Sequence, residues 1–274
     1  MSDVTINYKG NAIATMDASG TKTLLTEGKY CEDDIEVVYV SPGGGGTDYL
    51  GELLNRTLVN YTNSDLTQFS SDRTFSGLTT LTSFSFPNVT QCYDNAASYF
   101  FARCTGLTVI PANALPKFEK FNRSQSVFEY CTNLTVVVLP SYYSTAQNLQ
   151  FRDCTKLKTV DLGNATIPDP NSNLFNQSFF SGCTLFDTLI LRHSYVPKLG
   201  NINNFNGTPF ASGGTGGTIY IPKSLYDHLG DNSSSDYKAA SNWSTINGYG
   251  TITWAKIEGS IYETQYADGT AIPT

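Results

Sequence analysis

The feature that most constrains the fold of this chain is an internal repeat whose copies open with Phe-x-x-Cys. Each copy continues as C-x-x-L-x-x-[IVLF]-x-[LIF], with minor departures. Successive phenylalanines are 23 to 30 residues apart, a spacing typical of stacked structural repeats. Copies begin at Phe101, Phe128, Phe151 and Phe180, with an earlier copy at Phe75 that carries Leu78 in the cysteine position, and a degenerate late copy at Phe210-Ala-Ser-Gly213 followed by Ile219-Tyr-Ile221.

The end of each copy alternates between inward and outward positions, as in Val160-Asp161-Leu162. A period of two predicts a short strand with one buried face. A single copy cannot bury that face, whereas stacked copies create a continuous core. We therefore expect a solenoid of about six repeats, with short helices and loops, whose strands form a parallel ladder at a spacing of about 4.8 Å.

The repeat also accounts for most of the cysteines. Four of the six, Cys104, Cys131, Cys154 and Cys183, occupy the same place in successive copies. A small, soft side chain suits a tight position in a core. We predict a column of buried free thiols, without redox or metal chemistry.

At these residues the chain resembles the BspA-type leucine-rich repeats of bacterial surface proteins and of gut phage and prophage proteins. The form Phe-x-x-Cys-Thr-x-Leu-Thr, present at Phe128 to Thr135, carries the likeness. It implies a leucine-rich-repeat solenoid over residues 49–222, beginning with an N-terminal cap. Residues 223–274 resemble the family's usual end, in which Trp243 covers the last coil.

Residues 1–41 have a different pattern and predict a small all-β domain, with two short strands around Gly10-Asn11 and two more between residues 21 and 40. This segment resembles an N-terminal module that precedes variable C-terminal domains in phage tail and virion proteins of gut Firmicutes. Residues 42–48 are glycine-rich and predict a flexible linker.

Composition excludes several classes of function. The net charge is −7 and no cluster of Lys or Arg occurs, which argues against nucleic-acid binding. No apolar run approaches the roughly 18 residues of a spanning helix, so we expect no membrane insertion. The first residues lack an apolar signal region, which is expected if the chain folds in the cytoplasm of a bacterium or if a leader segment has been lost.

The residues that carry catalysis or bind metals are sparse. His193 and His228 lie outside any metal-binding spacing, and surface placement is the interpretation we favour for both. The segment from Asp169 begins like a calcium loop, but Leu174 and Phe180 stand where Gly and Glu are required. We therefore predict no enzyme activity, no metal and no cofactor.

Residues that alternate with the buried ones are expected to form an exposed face of the ladder. Apolar patches on such a face often mark contact sites. The alternative is that β-branched residues occur there because they favour strands. The predicted ligand-binding residues are Val109, Val136, Val138, Asp161, Ile190 and Tyr220.

The resemblance to BspA-type repeats and the pattern of residues 1–41 together suggest a phage or prophage tail-tip or fibre-like virion protein. The solenoid would bind a protein or glycan on the host-cell surface, and residues 1–41 would join other virion or tail proteins. Two alternatives stay open: an adhesin on the bacterial cell surface, and a scaffold protein that packs against its own copies as a homo-oligomer.

Overall fold

The computed structural model describes 4–8, 11–16, 22–24, 35–39, 60–62, 68–69, 75–92, 99–117, 120–121, 126–139, 150–162, 175 and 178–257. Near the N-terminus, four strands form an antiparallel sheet in the order β3-β2-β1-β4. That residues 1–41 form a separate domain stays a prediction. These strands are β1 (Val4–Tyr8), β2 (Asn11–Met16), β3 (Lys22–Leu24) and β4 (Ile35–Tyr39).

Two small parallel sheets come next along the chain. In the first sheet, β5 pairs with β7, and β7 belongs to the copy that begins at Phe75. The second sheet has three strands in the order β10-β8-β6. Their strands are short because each coil turns after a few residues. They are β5 (Asn60–Thr62), β6 (Gln68–Phe69), β7 (Ser83–Ser85), β8 (Gln91–Cys92) and β10 (Lys120–Phe121).

The main sheet is a parallel ladder of six strands in the order β15-β14-β13-β12-β11-β9. Each strand pairs in register with its neighbour, so that equivalent repeat positions stand side by side. The predicted parallel ladder is therefore confirmed. Its strands are β9 (Val109–Ile110), β11 (Val136–Val138), β12 (Thr159–Asp161), β13 (Thr188–Ile190), β14 (Gly217–Ile221) and β15 (Ile252–Lys256).

Helices are few and short in the described residues. The 3-10 helix Ala112–Ala114 follows β9, and a second, Ile202–Phe205, precedes β14. Two α-helices lie between the last two ladder strands, α1 (Lys223–Tyr226) and α2 (Trp243–Gly248).

A column of phenylalanine rings fills the core opposite the ladder. The rings are fully or almost fully buried, with centroids of successive rings 5.4 to 6.0 Å apart and ring planes within 25° of parallel. Offset parallel stacking avoids the repulsion of face-on rings and adds to the gain from burial. The column consists of Phe75, Phe101, Phe128, Phe151, Phe180 and Phe205.

The last member of this column corrects the repeat alignment. The sequence analysis placed the late copy at Phe210, but Phe205 occupies the repeat position. The amide of Phe180 donates to the carbonyl of Asn204, just as the amide of Phe151 donates to the residue before Phe180. Thr208 therefore stands in the cysteine position, and Phe210 is an additional core residue five positions later.

The chain reverses at the residue before each cysteine. Here the backbone enters the left-handed region, with φ of 61° at Arg103, 60° at Tyr130 and 57° at Asp153. The amide of each of these residues donates to a carbonyl of the following coil at 2.7 to 2.9 Å. Non-glycine residues adopt this conformation uncommonly. The inter-coil hydrogen bond therefore holds each turn in a conformation that the residue itself disfavours.

The predicted column of thiols is confirmed. Cys104, Cys131, Cys154 and Cys183 are free and have no exposed surface. Each Sγ donates to the carbonyl of the phenylalanine one coil earlier, at 2.9 to 3.1 Å. The thiols thus link successive coils through a side chain as well as through the backbone.

The ladder continues beyond residue 222. β15 pairs with β14 over five residues, and Trp254 stands beside Ile219. Trp243 of α2 is buried, as expected for a residue that covers the last coil, and its indole nitrogen donates to the carbonyl of Pro197 at 2.7 Å. Residues 223–256 therefore supply a further ladder strand as well as covering helices.

The buried thiols should be chemically inert in the folded protein. Burial raises the pKa of Cys131 to about 12, so at pH 8 almost no thiolate forms, and the thiolate is the nucleophile. We expect iodoacetamide to leave Cys131 and Cys183 unmodified in the native chain and to modify both in guanidinium chloride, as measured by peptide mass spectrometry. Rapid native labelling of Cys131 would contradict its burial.

Candidate functional site

One row of outward-facing side chains follows the ladder from strand to strand. Pairing in register aligns the first outward position of the five strands β9 and β11 to β14, and every side chain in the row is partly exposed. Adjacent members are one strand spacing apart, about 4.8 Å. We call this set the outer row: Val109, Val136, Thr159, Thr188 and Thr218.

The outer row is uncharged and β-branched throughout. Branching at Cβ restricts the side-chain rotamers, so the row presents methyl and hydroxyl groups with little conformational freedom to lose. Two of the predicted ligand-binding residues, Val109 and Val136, belong to it. Tyr220, two positions beyond Thr218, is also partly exposed.

Three other predicted ligand-binding residues are not on the surface. The alternation along the strands predicts that Val138, Asp161 and Ile190 face solvent, but all three have no exposed area. They do alternate outward from the core, yet residues that follow neighbouring strands cover Val138 and Asp161. Ala112 packs against Val138, and Arg192 reaches back to Asp161.

The covered row contains a buried ion pair. Arg192 Nε donates to Asp161 Oδ1 at 3.0 Å and its Nη2 donates to Oδ2 at 2.8 Å, a bidentate arrangement. The Asp161 side chain is fully buried and that of Arg192 is 7% exposed. Two parallel charge-assisted hydrogen bonds fix the direction of both side chains. The pair therefore closes the covered row rather than offering a carboxylate to a ligand.

His193 is a further residue whose environment differs from the prediction. It was expected at the surface, but it is 2% exposed, and neither ring nitrogen has a hydrogen-bond partner in the described structure. It lies two residues beyond Leu191, so it continues the inward side of the strand's alternation. Burial lowers the pKa of His193 to about 4. His228, in contrast, is exposed as expected and contacts Asp231 at 2.7 Å.

The described residues contain no cluster of three or more His, Cys, Asp or Glu side chains suited to a metal ion. Residues 169–174, where the sequence begins like a calcium loop, lie outside the described residues. Within the described part of the chain, no helix is both long and apolar enough to cross a bilayer. Burial also raises the pKa of Cys154 and Cys183, which disfavours thiolate chemistry. The partly exposed groups form an extended row and not a compact reactive cluster.

Comparison with known protein families decides the class. The profile described as BspA type Leucine rich repeat region matches residues 58–186 and 123–226 in six copies, which together span more than half of the chain. The chain belongs to the BspA-type leucine-rich-repeat family. In a repeat protein of this kind each coil contacts only its neighbours, and stacking creates an extended surface.

Among solved structures, this BspA-type chain is similar to a leucine-rich repeat protein from Bacteroides ovatus. The identity is 16% and the TM-score is 0.32, and the match covers 73% of this chain and 55% of the other. The chain thus spans about half the length of that relative. No curated protein matches the sequence.

The Asp161–Arg192 pair predicts an asymmetric response to substitution. Asp161→Leu leaves a buried guanidinium without its carboxylate and should cost roughly 3–5 kcal/mol of unfolding free energy. The double variant Asp161→Leu/Arg192→Leu removes both charges and should recover most of that loss. Urea denaturation of both variants and of Arg192→Leu completes the cycle, and purely additive losses would contradict the pairing.

The buried imidazole of His193 predicts a loss of stability in acid. Its pKa is about 4 in the folded chain and about 6.5 when unfolded, so the unfolded state binds more protons between these values. Unfolding free energy should therefore fall as the pH drops from about 6.5 to 4. In His193→Leu this part of the decline should be absent. Thermal denaturation at a series of pH values measures the stability of both proteins. If stability depends on pH equally in the two, His193 is not buried in its neutral form.

Proposed function

We propose that this BspA-type chain is a non-enzymatic binding protein that engages a macromolecular partner through the outer row. The observation that carries the proposal is the in-register alignment of five partly exposed, uncharged side chains along the ladder. A regular row on a solenoid suits an extended partner, because successive contacts repeat at the strand spacing. Rigid β-branched side chains lose little entropy on binding.

The finer proposal is display on a phage or prophage particle. Residues 1–41, including strands β1 to β4, would join the chain to other tail or virion proteins through the glycine-rich segment 42–48. The solenoid would then present the outer row to a protein or glycan on the host cell. What supports this is the resemblance of the N-terminal segment and the change in composition at residues 42–48.

The outer row can be tested with a matched pair of variants in one repeat. Thr159 lies in the row, whereas Thr155 is an exposed threonine in the turn before β12. We expect fluorescently labelled full-length chain to bind intact gut bacterial cells, and Thr159→Lys to weaken that binding about tenfold or more, because a desolvated lysine replaces a neutral contact. Thr155→Lys should bind normally. If both lysine variants bind like the unmodified chain, the outer row is not the contact surface.

The particle hypothesis needs a separate experiment. After prophage induction in the bacterium that carries this gene, particles are purified on a density gradient and analysed by mass spectrometry. Peptides of this chain should co-migrate with capsid peptides. Recovery only in the cell-envelope fraction would favour the surface-adhesin alternative, and recovery as a soluble homo-oligomer would favour the scaffold alternative.

A further inference from the structure

The C-terminal end of the ladder contains a cavity of about 460 Å³ that is lined by none of the five residues of the outer row, although its Thr253 pairs in register with Thr218. Its volume lies in the range of sites for small molecules, about 300–1,000 Å³. Helix α1 contributes Tyr226, helix α2 contributes Asn247, and β15 contributes Thr253 and Trp254. Residues from three elements thus converge on one space.

Two aromatic rings line the cavity, those of Tyr226 and Trp254, and both are partly exposed. The indole ring of Trp254 is held in place from behind. Its centroid lies 5.1 Å from that of Tyr237 and 6.3 Å from that of Trp243, and both of these residues are fully buried. The indole ring is therefore held in a fixed position at the cavity, and we call it the aromatic platform.

A hydrogen bond orients the neighbouring amide. The Nε1 of Trp254 donates to Asn247 Oδ1 at 2.8 Å. An indole can only donate, so the amide oxygen must face it, and the amide nitrogen is left as the group available to a ligand. Within the described residues, this nitrogen has no hydrogen-bond partner.

The cavity also contains a cation without a counterion. Lys238 lines it, and its ammonium makes no ion pair within the described residues. The nearby carboxylates are engaged elsewhere: Asp227 pairs with Lys223, Asp231 contacts His228, and Asp236 accepts backbone amides. In a chain of net charge −7, an unpaired ammonium beside an aromatic platform favours an anionic ligand.

We infer that this cavity binds an acidic saccharide. The C–H face of a pyranose ring packs on the indole of Trp254, the amide nitrogen of Asn247 and the hydroxyl of Thr253 donate to sugar oxygens, and Lys238 pairs with the sugar carboxylate. The lining supplies hydrogen-bond donors beside apolar ring faces, and a sugar acid supplies the complementary acceptors and C–H surface.

The test compares matched sugars on the full-length chain. The probes are 3′-sialyllactose against lactose and trigalacturonate against maltotriose, so each pair contrasts an acidic with a neutral sugar. Isothermal titration gives the affinities, and the change in tryptophan emission on binding, to which Trp243 and Trp254 both contribute, gives a second signal. At least one acidic probe should bind about tenfold or more tightly than its neutral counterpart, as expected for one charge-assisted hydrogen bond.

Three variants assign the binding to this cavity. Lys238→Met keeps the length of the side chain and should abolish the preference for the acidic sugar, while Lys256→Met, an exposed lysine of β15 that does not line the cavity, should leave it intact. Trp254→Ala should abolish binding of both sugars. Because Lys238 is exposed, we expect Lys238→Met to fold. The comparison of acidic and neutral sugars can therefore be made with this variant even if Trp254→Ala is unstable.

Several outcomes would overturn the inference. The first is that neither acidic probe binds. The second is that Lys238→Met binds an acidic probe as tightly as the unmodified chain does. The third is that the carboxylate dipeptide acetyl-Gly-Phe binds more tightly than any sugar, which would identify a peptide site. Thr159→Lys should not change sugar binding. The cavity and the outer row therefore succeed or fail independently.

Discussion

No coil of this protein can bury its own apolar face, and the repeated contact between equivalent positions of neighbouring coils is what the structure depends on. Three kinds of contact recur between the coils that begin at Phe101, Phe128, Phe151 and Phe180. The strands pair in register, the phenylalanine rings stack, and a cysteine thiol donates to the phenylalanine carbonyl of the preceding coil. If one coil is shifted out of register with its neighbour, all three kinds of contact are lost together. The repeat therefore fixes register as well as stability.

Much of this follows from sequence because the contacts are between identical positions. The spacing of Phe101, Phe128 and Phe151 predicts their column, and the cysteines three residues later predict the second column. The prediction was wrong at the last coil, where Thr208 replaces cysteine and two phenylalanines lie five residues apart. There the pattern no longer distinguishes Phe205 from Phe210, and only the hydrogen bonds of Phe180 and Gly182 with the next coil select Phe205.

The candidate sites were harder to predict, for a physical reason. Alternation along a strand tells which side a residue faces, but not what covers that side. Val138 and Asp161 do point away from the core, yet Ala112 and Arg192 cover them. Similarly, the lining of the C-terminal cavity comes from two short helices and a strand with no common motif. Its only sequence signal is the concentration of aromatic residues between Tyr226 and Trp254.

The left-handed turn before each cysteine has a consequence for how such a chain changes length. The amide of the turn residue donates to a carbonyl of the next coil, and a carbonyl of the same coil accepts the equivalent bond from the coil before it. Every coil therefore offers its neighbours the same backbone hydrogen bonds, whether the turn residue is Arg103, Tyr130 or Asp153. Loss or duplication of one whole coil by recombination would join identical surfaces. Loss or duplication of part of a coil would bring surfaces together that do not match. Genes of this kind should vary in steps of a complete repeat, lengthening or shortening the outer row without rebuilding the core.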